Sequence, residues 1–133
     1  LRARADLEEP DYREAFAVAR SLLPKRSLLL LFSDPVGTAM SEEILRQFGE
    51  SARRHLNGLV TLRDPEIWRI ADAPAATPRD LARKASAEAI LEERGRALRA
   101  LGARGVGIVD AFPWEVAGGV VGRYLDLKSR ALL

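Results

Sequence analysis

Three aspartates stand where strand-end chemistry would be placed. Asp34 follows the apolar run Leu28-Leu29-Leu30-Leu31-Phe32, Asp64 follows Leu59-Val60-Thr61-Leu62, and Asp110 follows Val106-Gly107-Ile108-Val109. If these runs are parallel strands, the three carboxylates gather at the carboxyl edge of one sheet, where open α/β sheets bind ligands. Carboxylate oxygens at such an edge suit a hard cation such as Mg²⁺, or a phosphotransfer nucleophile. Local roles compete with that chemistry. Asp64-Pro65-Glu66 reads as a helix N-cap, a proline at the first helical position and an acid in the first turn. Asp110, ahead of Ala111-Phe112-Pro113, reads as a turn or cap residue. The segment Ser33-Asp34-Pro35-Val36-Gly37-Thr38 is longer than a cap requires, so Asp34 stays open between a cap and a ligand.

Other chemical signals are weaker. Arg53-Arg54-His55 reads as a solvated helix end, where cations complement the dipole. His55 is the only histidine, which argues against a metal role for it. Gly102, Gly105 and Gly107 precede a strand and do not form a phosphate-cradling G-x-G-x-x-G. Gly118, Gly119 and Gly122 fall inside a helical segment and read as close packing against a neighbour. Trp68 and Trp114 read as partly buried anchors, and no G-x-S-x-G nucleophile elbow occurs.

The elements that must position these residues alternate. Asp11 to Leu23 carries Tyr12, Phe16 and Ala19 at helical spacing and is closed by Pro24. The run from Ser27 to Phe32, apolar without alternation, predicts a strand covered on both faces. Ser41 with Glu42 and Glu43 predicts a helix start, Ile44, Leu45, Phe48 and Ala52 its buried side, and Asn57-Gly58 its end. Leu59 to Leu62 is the second strand, and Asp64-Pro65 opens another helix. Thr77-Pro78 opens a long helix to about Leu101, with Leu81, Ala85, Ile90, Leu91, Leu98 and Leu101 as its stripe and Gly102 as its cap. Val106 to Val109 is the third strand, and Pro113 to Leu132 a closing helix with Val120, Tyr124 and Leu127 on one side. The order α-β-α-β-α-α-β-α predicts parallel strands joined by crossovers, hence an α/β fold with helices on both faces of the sheet.

Composition narrows the function classes. The 133 residues allow one domain with a real core. No cysteine is present, which removes disulfides, thiol nucleophiles and cysteine-based zinc sites. Eighteen of the 21 basic residues are arginine, yet 19 acids leave a net charge of only +2, small for a nucleic-acid binder. The apolar run at Leu28 is far short of a membrane span, and no signal peptide opens the chain. A phosphate-handling enzyme needs a lysine or threonine beside its acid, but Lys25, Lys84 and Lys128 do not follow a suitable strand.

Taken together, Asp11-Tyr12-Arg13, Leu28 to Asp34, Ala52-Arg53-Arg54-His55-Leu56, Leu62-Arg63-Asp64-Pro65-Glu66 and Arg123-Tyr124-Leu125-Asp126-Leu127-Lys128 resemble the C-terminal part of domain-of-unknown-function family fifty-eight. Ala87-Glu88 through Leu91-Glu92-Glu93-Arg94 and Gly105 to Asp110 fit the same pattern. Proteins of that family contain a von Willebrand factor type A-like domain, a Rossmann-type α/β sheet with a metal-ion-dependent adhesion site. The resemblance implies that the three strands correspond to the fourth, fifth and sixth of the complete fold. Of the family's site only the acid after the fourth strand is matched, by Asp34; no Asp-x-Ser-x-Ser loop occurs. It implies no cofactor for this chain, with Mg²⁺ bound only in an intact parent domain, and residues 1–133 as one α/β domain cut from a larger one. The chain begins on Leu1, which this reading takes as the mark of a fragment.

The resemblance further implies a non-enzymatic interaction module of bacterial, cytoplasmic setting, an adaptor of a MoxR-type AAA+ ATPase in protein maturation or assembly, with any membrane anchor of the parent lying upstream. Nucleic acid is not an expected partner. The Leu28–Phe32 strand, lacking a neighbour on one side, is expected to pair with a second copy of the chain. The alternative is a small Mg²⁺-dependent phosphate-ester or phosphotransfer enzyme built on Asp34.

Overall fold

The computed structural model describes residues 10–34 and 38–130. Its elements run α1 (Tyr12–Leu22), β1 (Leu28–Phe32), α2 (Thr38–Ser51), β2 (Leu56–Leu62), α3 (Pro65–Asp72), α4 (Pro78–Ala103), β3 (Gly107–Ala111) and α5 (Val116–Ser129). This is the expected element order. The strands form a parallel sheet in the order β1-β2-β3, with Leu30 beside Gly58 and Gly58 beside Gly107. Helices flank it on both faces: α1, α2 and α4 pack together on one, and α5 lies over β2 and β3 on the other.

Capping chemistry sets most of the helix starts. The Asp11 carboxylate accepts from the Glu14 amide, and Asp64 from the Glu66 amide, each satisfying a donor that the first helical turn leaves free. Thr77 and Asp80 close a reciprocal capping box on α4. The far end of α4 differs from expectation. Gly102 is helical, and the left-handed position falls on Gly105, at φ 84°. The Val106 amide reaches back to the Leu101 carbonyl and the Gly105 amide to Gly102, a Schellman closure that turns the chain directly into β3.

Two further boundaries move. The second helix starts at Thr38, so Ser41 lies within it and is buried rather than serving as its cap. Asn57-Gly58 does not end that helix but belongs to β2. The Asn57 amide still donates to the Phe48 carbonyl, capping the helix from the strand, while a Cβ on Gly58 would stand 2.9 Å from the Leu30 side chain. Pro35 to Gly37, the N-terminal stretch through residue 9 and residues 131–133 lie outside the described residues.

The core joins Tyr12, Phe16, Ile44, Phe48, Leu59 and Leu101, with Leu29, Leu31 and Leu98 packed against it. Phe16 and Phe48 meet edge to face, ring centres 5.5 Å apart. The inward side of α4 keeps Leu91, Leu98 and Leu101 of the expected stripe and loses the rest. Leu81, Ala85 and Ile90 are exposed, whereas Ala87, Leu91, Arg94, Leu98 and Leu101 turn inward at alternating spacings of four and three. Strand β1 is likewise not covered on both faces: its four leucines are half-buried and Phe32 is 61% exposed. Only Gly119 of the three glycines in α5 is packed, because a Cβ there would stand 2.8 Å from Val109; Gly118 and Gly122 face open space. Among the described residues no helix is long and apolar enough to cross a membrane.

Candidate functional site

Two of the three aspartates meet at the carboxyl edge. Asp34 follows β1, Asp110 lies inside β3 rather than in a turn, and the Arg94 guanidinium from mid-α4 spans the gap between them. Arg94 Nε donates to Asp34 Oδ1 at 3.1 Å, and its Nη2 to Asp110 Oδ1 at 2.8 Å, Thr61 Oγ1 at 2.6 Å and the Leu62 carbonyl at 3.2 Å. The Thr61 hydroxyl in turn donates to Asp34 Oδ1 at 3.1 Å. The Arg94 side chain is 10% exposed and Asp110 22%, so the centre of the cluster is shielded from water while Asp34 at its end is half-exposed. Every strand contributes, and one helix side chain ties their ends together.

A second arginine extends the arrangement. Arg63, directly after β2, donates through Nε to Asp110 Oδ2 at 3.0 Å, so both oxygens of this carboxylate are engaged. Its guanidinium carbon lies 5.5 Å from the ring centres of both Trp68 and Phe112. Phe112 stacks on Trp114 with ring centres 4.9 Å apart and meets Trp68 edge-on at 6.2 Å. Contrary to the reading of Trp114 as partly buried, it is 68% exposed. The result is a continuous row: Asp34, Arg94, Asp110, Arg63, then the three rings.

The electrostatics are balanced, two carboxylates against two guanidinium groups. Burial pushes the Asp110 carboxyl up, but hydrogen bonds from Arg94 and Arg63 more than reverse this and hold it below its ordinary value. Burial likewise opposes the charge on Arg94, yet Asp110 and Asp34 outweigh it and keep the group protonated above the usual arginine range. A carboxyl depressed in the folded state stabilises the fold fully above the ordinary carboxylate range, and that contribution fades as pH falls through the lower folded value. Stability is therefore expected to drop below about pH 4, with Asp110→Asn losing less over the same interval; urea midpoints measured from pH 7 to pH 2 compare the two.

Asp64 is absent from the cluster, held as the cap of α3. The basic segment after α2 divides: Arg53 and Arg54 are exposed, but His55 is buried, and neither ring nitrogen meets a partner among the described residues. His55 thus departs from the solvated helix end expected of it. A cavity of about 440 Å³ lies at the opposite, amino end of the sheet between α2 and the turn into β3, away from the three strand-end aspartates.

The chain matches no protein-family model, no curated protein and no solved structure. Its site is read from its own geometry. Among the described residues no group of three or more His, Asp or Glu side chains is placed to hold a metal ion. Asp34 and Asp110 converge on the Arg94 guanidinium, which already supplies a positive charge between them. What it does well is lock three strand ends together in a neutral, hydrogen-bonded plate. Phe32 at the end of β1, Leu62 at the end of β2 and Trp114 just after β3 are all exposed, with Phe32 and Leu62 set by strand alternation on the sheet face opposite Thr61 and Arg94.

Sequence reasoning missed Arg94 as a site residue. Its signal was present in the inward spacing of α4, where a charged side chain occupies one position of an otherwise apolar series. A charge placed there needs partners across the fold.

Proposed function

We propose that the chain is a non-enzymatic protein-interaction module that docks a partner on the carboxyl edge of its sheet. One observation carries this reading: large exposed side chains, Phe32, Leu62 and Trp114, lie at or just beyond the carboxyl ends of the three strands, whose own charges are neutralised internally. Interfaces concentrate binding energy in aromatic and arginine anchors set on rigid supports, surrounded by groups that exclude water. Trp114 is such an anchor, stacked on Phe112, which is in turn held by Arg63.

The resemblance to family fifty-eight supports a MoxR-type AAA+ ATPase as the partner, in a bacterial cytoplasm, with the module acting as its adaptor in protein maturation or assembly. A second copy of the chain is the other partner on this reading, taken across the open edge of β1. The test is titration of the chain with a purified MoxR-type ATPase. Trp114→Ser is expected to weaken binding about tenfold or more with unchanged far-ultraviolet circular dichroism. Absence of binding, or equal binding by the wild type and by a Trp114→Ser/Phe32→Ser double variant, would overturn the proposal.

A further inference from the structure

Strand β1 has a partner on one side only. Ser27 accepts from the Leu56 amide and the Ser33 amide donates to Val60, so the odd-numbered residues of β1 turn their backbone groups toward β2. In a parallel pair the intervening residues turn theirs the other way. The N–H and C=O groups of Leu28, Leu30 and Phe32 therefore line the free edge, and no described strand pairs with them. Their side chains share the sheet face opposite Leu29 and Leu31, which pack on the core. Exposed backbone of this kind specifies its occupant as another extended strand, since an edge is completed by ladder hydrogen bonds.

Charge at the two ends of the strand selects which strand. Arg26 lies before it, exposed, and Asp34 lies after it, with 52% of its side chain exposed while Oδ1 is held by Arg94. We infer that a second copy of this chain pairs with β1 antiparallel, about a two-fold axis through Leu30. This inference rests on the self-association included in the proposed function and fixes its geometry. In that register Leu30 faces Leu30, Leu28 faces Phe32 of the second copy, and Arg26 faces its Asp34. Each of these residues has its backbone groups on the free edge, so every apolar pair is a hydrogen-bonded pair. Two cation–carboxylate pairs close the ends, and opposite charges directly across strands are favourable. A parallel in-register pairing would set Arg26 against Arg26 and Asp34 against Asp34, which is unfavourable. The antiparallel contact also joins the two sheets into one.

The absence of native cysteine makes the register directly readable. Single-cysteine variants Leu30→Cys, Leu28→Cys and Phe32→Cys, each oxidised mildly after its fold is checked by circular dichroism, report which positions face each other. Leu30→Cys is expected to form a disulfide-linked dimer, since paired residues approach to roughly 5.5 Å between Cα atoms. Leu28→Cys and Phe32→Cys alone are expected to stay unlinked, because four residues of strand, about 13 Å, separate like positions. A mixture of the two is expected to link. In a cysteine-free background, Arg26→Glu is expected to raise the dimer dissociation constant about tenfold at low salt. Dimers by light scattering that link Leu28→Cys to itself, or ignore Arg26→Glu, would overturn this register while leaving self-association standing. A monomeric mass at all concentrations would overturn both.

Discussion

Replacing Arg94 by methionine is expected to cost about 3 kcal/mol or more of folding stability, because it leaves buried polar groups without their shared cation. The methionine fills a similar volume, so the loss isolates charge and hydrogen bonding from packing. Thr61 and the Leu62 carbonyl each lose a donor, and Asp110 retains only Arg63. Removing a peripheral member has a smaller effect: Asp34→Asn, at a half-exposed carboxylate, is expected to cost about 1 kcal/mol or less. The double variant Arg94→Met/Asp110→Asn is expected to recover part of the Arg94→Met loss, since the uncompensated carboxylate is gone. Urea unfolding at pH 7, followed by circular dichroism, compares the four proteins. Equal stability of Arg94→Met and wild type would show that the cluster does not hold the strand ends.

Leu101→Ala is the second large expected effect, about 2 to 5 kcal/mol. Leu101 is fully buried and packs in the central cluster with Ile44, Phe48 and Leu59. Its carbonyl also accepts the Val106 amide in the closure that leads into β3. Alanine preserves the backbone bond but opens a cavity beneath the last turns of α4, and cavity cost depends on how far the surroundings collapse. Collapse here would tilt the helix that carries Arg94. The expected signature is therefore twofold: a lower urea midpoint, and a weaker dependence of stability on pH below about 4, as the Arg94–Asp110 contact loosens. A loss below about 1 kcal/mol would mean that the cluster around Leu101 is not the centre of the core.

The residues reveal this architecture unevenly. The three strands and their parallel sense were legible because each is a short apolar run followed by a helix-starting residue, and that alternation points to a parallel sheet. Boundaries moved where one residue serves two elements. Asn57 looks like a helix stop, and its side chain does cap α2, but its backbone lies in β2. On α4 Leu91, Leu98 and Leu101 marked the inward side, but Leu81 and Ile90 did not belong to it, since apolar character does not state which neighbour is present. The convergence of Asp34 and Asp110 followed from strand-end position alone. Their common partner did not, because the Asp34–Arg94 bond joins positions 60 residues apart and local pattern says nothing about that distance.

The strand order β1-β2-β3 has a consequence for what kind of ligand the edge can take. Crevices in open α/β sheets form where successive connections depart to opposite faces and the helices diverge. Here the connections through α2 and through α3 and α4 step the same way across the sheet, and α2 stays against α4. No such parting of helices arises among these three strands, and Arg94 fills the space at their ends. The paired charges make a neutral floor at the strand ends, which on the function proposed above would meet the broad face of another macromolecule.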